Sequence, residues 1–139
     1  EEVKRSLPLR PAMSWKACVS HVKCVDSGSP ISYGCTYKAP KETCIATLPV
    51  GYADGWTRLL AGKAAVSLAG RRAPVVGRIC MDQCMVALPA AAHVAVGDVA
   101  LLFGPAGPTV EEAAAWLGTI PYEIVCMVGK RVPRRYQED

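Results

Sequence analysis

Glycine and proline punctuate this chain so often that long regular elements have little room: 12 Gly and 11 Pro stand in 139 residues. Short apolar-rich segments between turn residues are the pattern of a β sandwich or barrel. In "MSWKACV" the apolar side chains Met13, Trp15, Ala17 and Val19 fall on one face of a strand. The apolar set then shifts to Val22 and Cys24, which predicts a bulge or bend near Ser20–His21. "TCIATLPV" reads as a buried strand, and "AAVSLAGRRAPVVGRICM" as a hairpin turning at Ala69–Gly70. "QCMVAL", "VGDVALLFG" and "YEIVCMV" supply three further strands.

One segment breaks the period. In "TVEEAAAWLG", Thr109 is followed three places on by Glu112, a capping box, then by helix formers and by Gly118 as a stop. The fold class expected is therefore mainly β, a Greek-key-like barrel or sandwich, with one short helix near 110–117.

Composition narrows the function classes. A hydrophobic content of 51% with 20% charged residues is that of a globular domain and argues against disorder. The net charge of +4 is modest, and its basic residues gather in "GRR" and "GKRVPRR", with few aromatics between them. That pattern reads as solvated surface, so no nucleic-acid partner is expected. Seven cysteines lie dispersed at 18, 24, 35, 44, 80, 84 and 126, without a CxxC pair. "CVSHVKC" invites a metal reading, but on a strand His21 points away from Cys18 and Cys24. No metal is expected, and the cysteines read as small buried hydrophobes in a reducing cytoplasm.

Three loop-rich stretches could carry chemistry. "SYGCTY" places Tyr33 beside Gly34 on a short strand entered from a turn, either as a half-buried aromatic or as an acid/base. "GYADGW" is a turn that would present Tyr52 and Asp54 together, unless it is only a strand exit. In "GRICMDQCM", Arg78, Met81, Asp82 and Gln83 are close enough to form a polar rim, with an Asp82–arginine pair as the plainer alternative. No GxSxG, phosphate loop or GxGxxG is present, and neither His21 nor His93 has a nucleophile suggested by spacing.

Taken together these stretches resemble the C-terminal domain of bacterial alanine racemase, a fold-type III pyridoxal-phosphate enzyme. The likeness runs in order through "LRPAMSWKA", "ISYGCTY", "IATLPVGYADGW", "APVVGRICMDQCMV", "VGD" and "GTIPYEIVCMVGKRVPRRY", nearly all of residues 9–136. The resemblance implies an N-terminal (β/α)8 barrel holding pyridoxal 5'-phosphate on a lysine, and a head-to-tail homodimer in which each β domain completes its partner's site. It implies that Tyr33 is the second catalytic base, that the Met81 backbone contacts the substrate, and that Tyr122 reaches toward the cofactor phosphate. Tyr52, Arg58, Arg78 and Ile120 match positions along the substrate corridor.

The chemistry is consistent with that assignment. Racemisation needs a proton removed from one face of Cα and returned on the other, and two opposed bases do this without turning the substrate. A free phenol has a pKa of about 10, so a tyrosine base needs a neighbouring cation or donor, for which this sequence offers no obvious candidate. Gly34 would let the Tyr33 backbone lie close against the neighbouring subunit. The seven lysines (4, 16, 23, 38, 41, 63 and 130) do not stand in the family's lysine motif.

The chain begins without an initiator Met. Residues 1–11 are thus expected to be a remnant of the missing barrel and residues 12–139 the β domain. The implied function is the interconversion of L- and D-alanine for peptidoglycan, in the cytoplasm. A serine racemase of the glycopeptide-resistance type, with a membrane region, and a non-catalytic dimerisation module remain as alternatives.

Overall fold

The structure, a computed structural model, describes residues 10–88 and 92–137. Most of the expected remnant at 1–11 thus lies outside the described residues. Among the described residues nine strands form: β1 (Trp15–Cys18), β2 (His21–Val25), β3 (Pro30–Ile31), β4 (Tyr37–Lys38), β5 (Thr43–Leu48), β6 (Ala65–Leu68), β7 (Arg71–Val76), β8 (Cys84–Ala87) and β9 (Val99–Phe103). Seven of them make one antiparallel sheet in the order β1-β9-β6-β7-β8-β5-β2, while β3 and β4 pair separately. The mainly β architecture expected from the sequence is the one observed.

The two edge strands of that order, β1 and β2, are neighbours in the chain. Between them the Val19 N–H donates to Asp98 O and the Ser20 N–H to Thr47 O, at 2.8 and 2.9 Å. Two consecutive residues thus bond to opposite sides of the sheet and draw it into a barrel. The bend expected near Ser20–His21 is this crossing. The β6–β7 hairpin turns at Ala69–Gly70 as its sequence suggests.

Alternation in the strands fills the interior. Trp15, Val66, Leu68, Val75, Val86 and Leu102 are all 4% exposed or less. Trp15 meets Trp56 and Phe103 edge-on, with ring centroids 5.7 and 5.8 Å apart, an arrangement suited to the aromatic quadrupole. Trp56 belongs to the "GYADGW" loop, so that loop is rooted in the core.

The first helix spans Val110–Leu117. The Thr109 hydroxyl accepts from Glu112 N–H at 3.1 Å, the Glu112 carboxylate accepts from Thr109 N–H at 3.0 Å, and the helix ends at Gly118. A second helix, Pro121–Met127, occupies the segment expected as a last strand. Proline suits the first helical position because its missing N–H is not needed there. Thr119, just before this helix, donates its hydroxyl to Glu123 in the first turn. The single-helix expectation is thereby corrected to two.

The cysteines are corrected as well. Cys24 and Cys44 stand directly opposite each other on β2 and β5 and form a disulfide. Cys18, Cys35 and Cys126 are exposed, and only Cys80 and Cys84 are buried thiols. Burial is the main reason the Cys84 thiol is pushed up to about 12; nearby Cys80 adds to the shift and the Trp56 indole opposes it.

Candidate functional site

Three loops meet at one end of the barrel: residues 32–35, 51–56 and 77–83. They line an open concavity of about 560 Å³, whose walls include Tyr33, Tyr52, Arg58, Arg78, Met81 and Asp82. Five of the seven residues to which the resemblance assigns a role are therefore brought together. Ile120 and Tyr122, at 58% and 77% exposure, stand at the start of the second helix and do not line this concavity.

Tyr33 does not lie on a strand. It opens a single 3₁₀ turn, Tyr33–Cys35, between the short strands β3 and β4, and its side chain is 69% exposed. Of the two readings left open for it, half-buried aromatic or acid/base, the first does not match this exposure. Gly34 adopts φ +72°, a conformation that glycine takes without steric cost. A Cβ there would stand 3.2 Å from Cζ of Arg78. Within its own chain the close neighbour of Gly34 is thus the Arg78 guanidinium.

The second loop is pinned to the third through its backbone. The Tyr52 N–H donates to Cys80 O and the Ala53 N–H to Met81 O, both at 3.0 Å. A Cβ on Gly51 would come within 2.2 Å of Cys80 O, so no larger residue fits this approach. Tyr52 projects outward while Asp54 turns in. The buried Asp54 carboxylate accepts from Gly51 N–H at 2.9 Å and faces Arg131 Nε at 3.4 Å. The joint presentation of Tyr52 and Asp54 expected from the sequence is not found; Asp54 is an internal brace.

Asp82 is held by Arg131 at 2.6 Å, the arginine pairing foreseen as the plainer alternative, although it also stays on the rim. Arg134 donates to the carbonyls of Val128, Gly129 and Val132 at 2.6–2.7 Å, which folds the tail into a fixed hook. These two arginines were read from the sequence only as solvated charge. Their signal was the basic "GKRVPRR" run set opposite unassigned acids in two loops.

Among the described residues, neither Arg58 nor Arg78 has a carboxylate partner. The concavity therefore presents two cationic groups and two phenols, suited to an anionic group and to proton transfer. No lysine lines it. A carbonyl cofactor could lie against this wall, but its covalent amine would have to come from elsewhere. Among the described residues, no group of three or more His, Cys, Asp or Glu could hold a metal, and no helix is long and apolar enough to cross a membrane.

The domain is thus a β barrel that presents an exposed tyrosine and two arginines on a braced loop edge. The chain belongs to the alanine racemase C-terminal domain family, whose model matches residues 12–136. It is 60% identical to the alanine racemase of Desulforamulus reducens over 98% of its own length. The solved alanine racemase of Clostridium difficile 630 in complex with cycloserine matches 93% of it at 46% identity and a TM-score of 0.89. That of Bacillus anthracis with bound L-Ala-P matches 99% at 41% identity, also with a TM-score of 0.89. The chain spans 37% of the first of these proteins and 34% and 36% of the other two.

Proposed function

We propose that this chain is the C-terminal domain of a pyridoxal-phosphate-dependent alanine racemase, and that it delivers Tyr33 to an active site completed by a second subunit. The observation that carries the reading is the placement of Tyr33: exposed, on a turn braced by its own chain, at the rim of a concavity that no described lysine lines. A racemase needs one acid/base on each face of Cα. Tyr33 would serve one face, and the opposing base would come from a region outside residues 10–137.

Each group then has a task. Arg58 and Arg78 draw the substrate carboxylate toward the wall. The Met81 carbonyl accepts from the Ala53 N–H, and the backbone group of Met81 suited to a substrate carboxylate is its N–H, a donor. Tyr122, on its own element, is the residue of this chain assigned to the cofactor phosphate, and Ile120 and Tyr52 flank the approach. Pyridoxal phosphate, when bound, supplies an electron sink for the pair left at Cα. The remaining events belong to Tyr33, which takes or returns the proton.

The test is Tyr33→Phe in the full-length protein, assayed with alanine and serine in both directions. Racemisation is expected to fall about 10²–10⁴-fold, the usual contribution of a positioned acid/base. Exchange of the Cα proton through the opposite face is expected to survive. Racemisation at the parental rate by that variant would remove Tyr33 from the chemistry.

A further inference from the structure

We infer that Ser32 is a positioning residue that fixes the Tyr33 turn to the Arg78 loop through its hydroxyl; this rests on the proposed role of Tyr33. Ser32 has φ 67° and ψ 176°. That region is visited almost solely by glycine, because a Cβ there crowds the backbone. Nevertheless a serine occupies it, half-buried, immediately before the exposed phenol. The next-but-two residue, Cys35, also has positive φ, at 51°. Tyr33 is therefore held between unfavourable conformations that only their surroundings can maintain.

The surroundings are specific. Ser32 Oγ donates to Arg78 O at 2.8 Å and lies 3.9 Å from Cys80 Sγ. Gly77 makes room for it: a Cβ on Gly77 would stand 2.6 Å from the Ser32 Cβ and 2.9 Å from Ile31 O. From the other side the Arg78 guanidinium covers Gly34. The two loops thus grip each other twice, Ser32 holding the Arg78 backbone and the Arg78 side chain closing over the residue after Tyr33. Glycine would satisfy the backbone at position 32 with less strain. What serine adds is the hydroxyl bond.

The experiment uses the full-length protein with Ser32→Gly, Ser32→Ala and Tyr33→Phe. Three quantities are read: the thermal midpoint, racemisation in each direction, and deuterium uptake at Cα of L- and D-alanine from D2O. Ser32→Gly is expected to melt at or above the parental temperature yet racemise roughly ten- to a hundredfold more slowly, as small misplacements of a reacting group do. Its loss of exchange should be confined to the same enantiomer that Tyr33→Phe affects. Ser32→Ala, which retains the side-chain carbon but no hydroxyl, should show the same selective loss. Parental racemisation by Ser32→Gly, or equal loss of both exchanges, would overturn the inference. If Tyr33→Phe itself leaves both exchanges intact, the role assigned to Tyr33 fails first and the inference falls with it.

Discussion

The Arg131 guanidinium donates to the Asp82 carboxylate across 2.6 Å, and so fastens the C-terminal tail to the loop that carries Met81. The same side chain reaches the buried carboxylate of Asp54 at 3.4 Å. One cation therefore joins three segments distant in sequence: the 51–56 loop, the 77–83 loop and the tail. Both acids act on Arg131 in the same sense, holding its proton more firmly, with the Asp82 hydrogen bond the larger cause.

Asp54→Ala is expected to cost about 2 kcal/mol, because the Gly51 N–H loses its buried charged acceptor and Arg131 loses one of its two partners. Arg131→Ala should destabilise less, since it is exposed. Combined, the two changes should cost less than their sum, as contacting partners do. Urea unfolding of the four proteins measures the coupling, and strict additivity would mean that the 3.4 Å approach contributes nothing.

The first helix carries a pH-dependent element. The Thr109 backbone N–H, and after it Arg72, hold the Glu112 carboxyl below its usual value of 4.5. A lowered folded-state value means that the contribution is complete above the ordinary carboxylate range and is lost as pH falls through the lowered value. Thr109→Ala should cost about 1 kcal/mol at neutral pH. Glu112→Gln should flatten the acid limb of stability below about pH 4.5. An unchanged acid limb in Glu112→Gln, followed by circular dichroism, would place the acid sensitivity elsewhere.

The thiols should divide by position. Cys18, Cys35 and Cys126 are exposed, whereas Cys84 is fully buried and raised to about 12. Iodoacetamide at pH 8 is expected to label the first three and to spare Cys80 and Cys84 until the fold is opened. Cys35 shares the turn of Tyr33, so its modification should also obstruct the concavity. Peptide mass spectrometry after timed quenching reads the order directly.

Incubation of the isolated chain with pyridoxal phosphate, followed by borohydride, is expected to leave no single lysine stoichiometrically labelled, because no lysine among the described residues lines the concavity. Intact mass and peptide mapping decide it. One lysine modified cleanly would give the domain a cofactor site of its own.

The barrel was legible because alternating burial imposes period two on its strands, and the first helix because Thr109 and Glu112 announce its start. The second helix was not. "YEIVCMV" is a short apolar run that suits either a strand or a helical turn, and the deciding proline precedes it. Tyr33, Tyr52, Arg58, Arg78 and Met81 were recognisable as a set through the resemblance of their motifs to the alanine racemase family. The geometry that holds them was hidden. Positive φ at Ser32 is invisible in a residue that normally avoids it, the inward turn of Asp54 depends on a cation some eighty residues later, and the Cys24–Cys44 bridge depends on strand register.

The sheet gains its edge strand β1 where Trp15 pairs with Phe103 on β9. That pairing joins the beginning of the domain to a strand more than eighty positions downstream, so most of the chain must emerge from the ribosome before the cylinder can shut. Domains dominated by such distant contacts fold slowly, in milliseconds to seconds. Until closure the hydrophobic inner faces of β5 to β8 stand open to solvent, and the nascent domain is at its most vulnerable to aggregation in that interval. Stopped-flow tryptophan fluorescence, dominated by Trp15 and Trp56 in the sealed interior, would time the event.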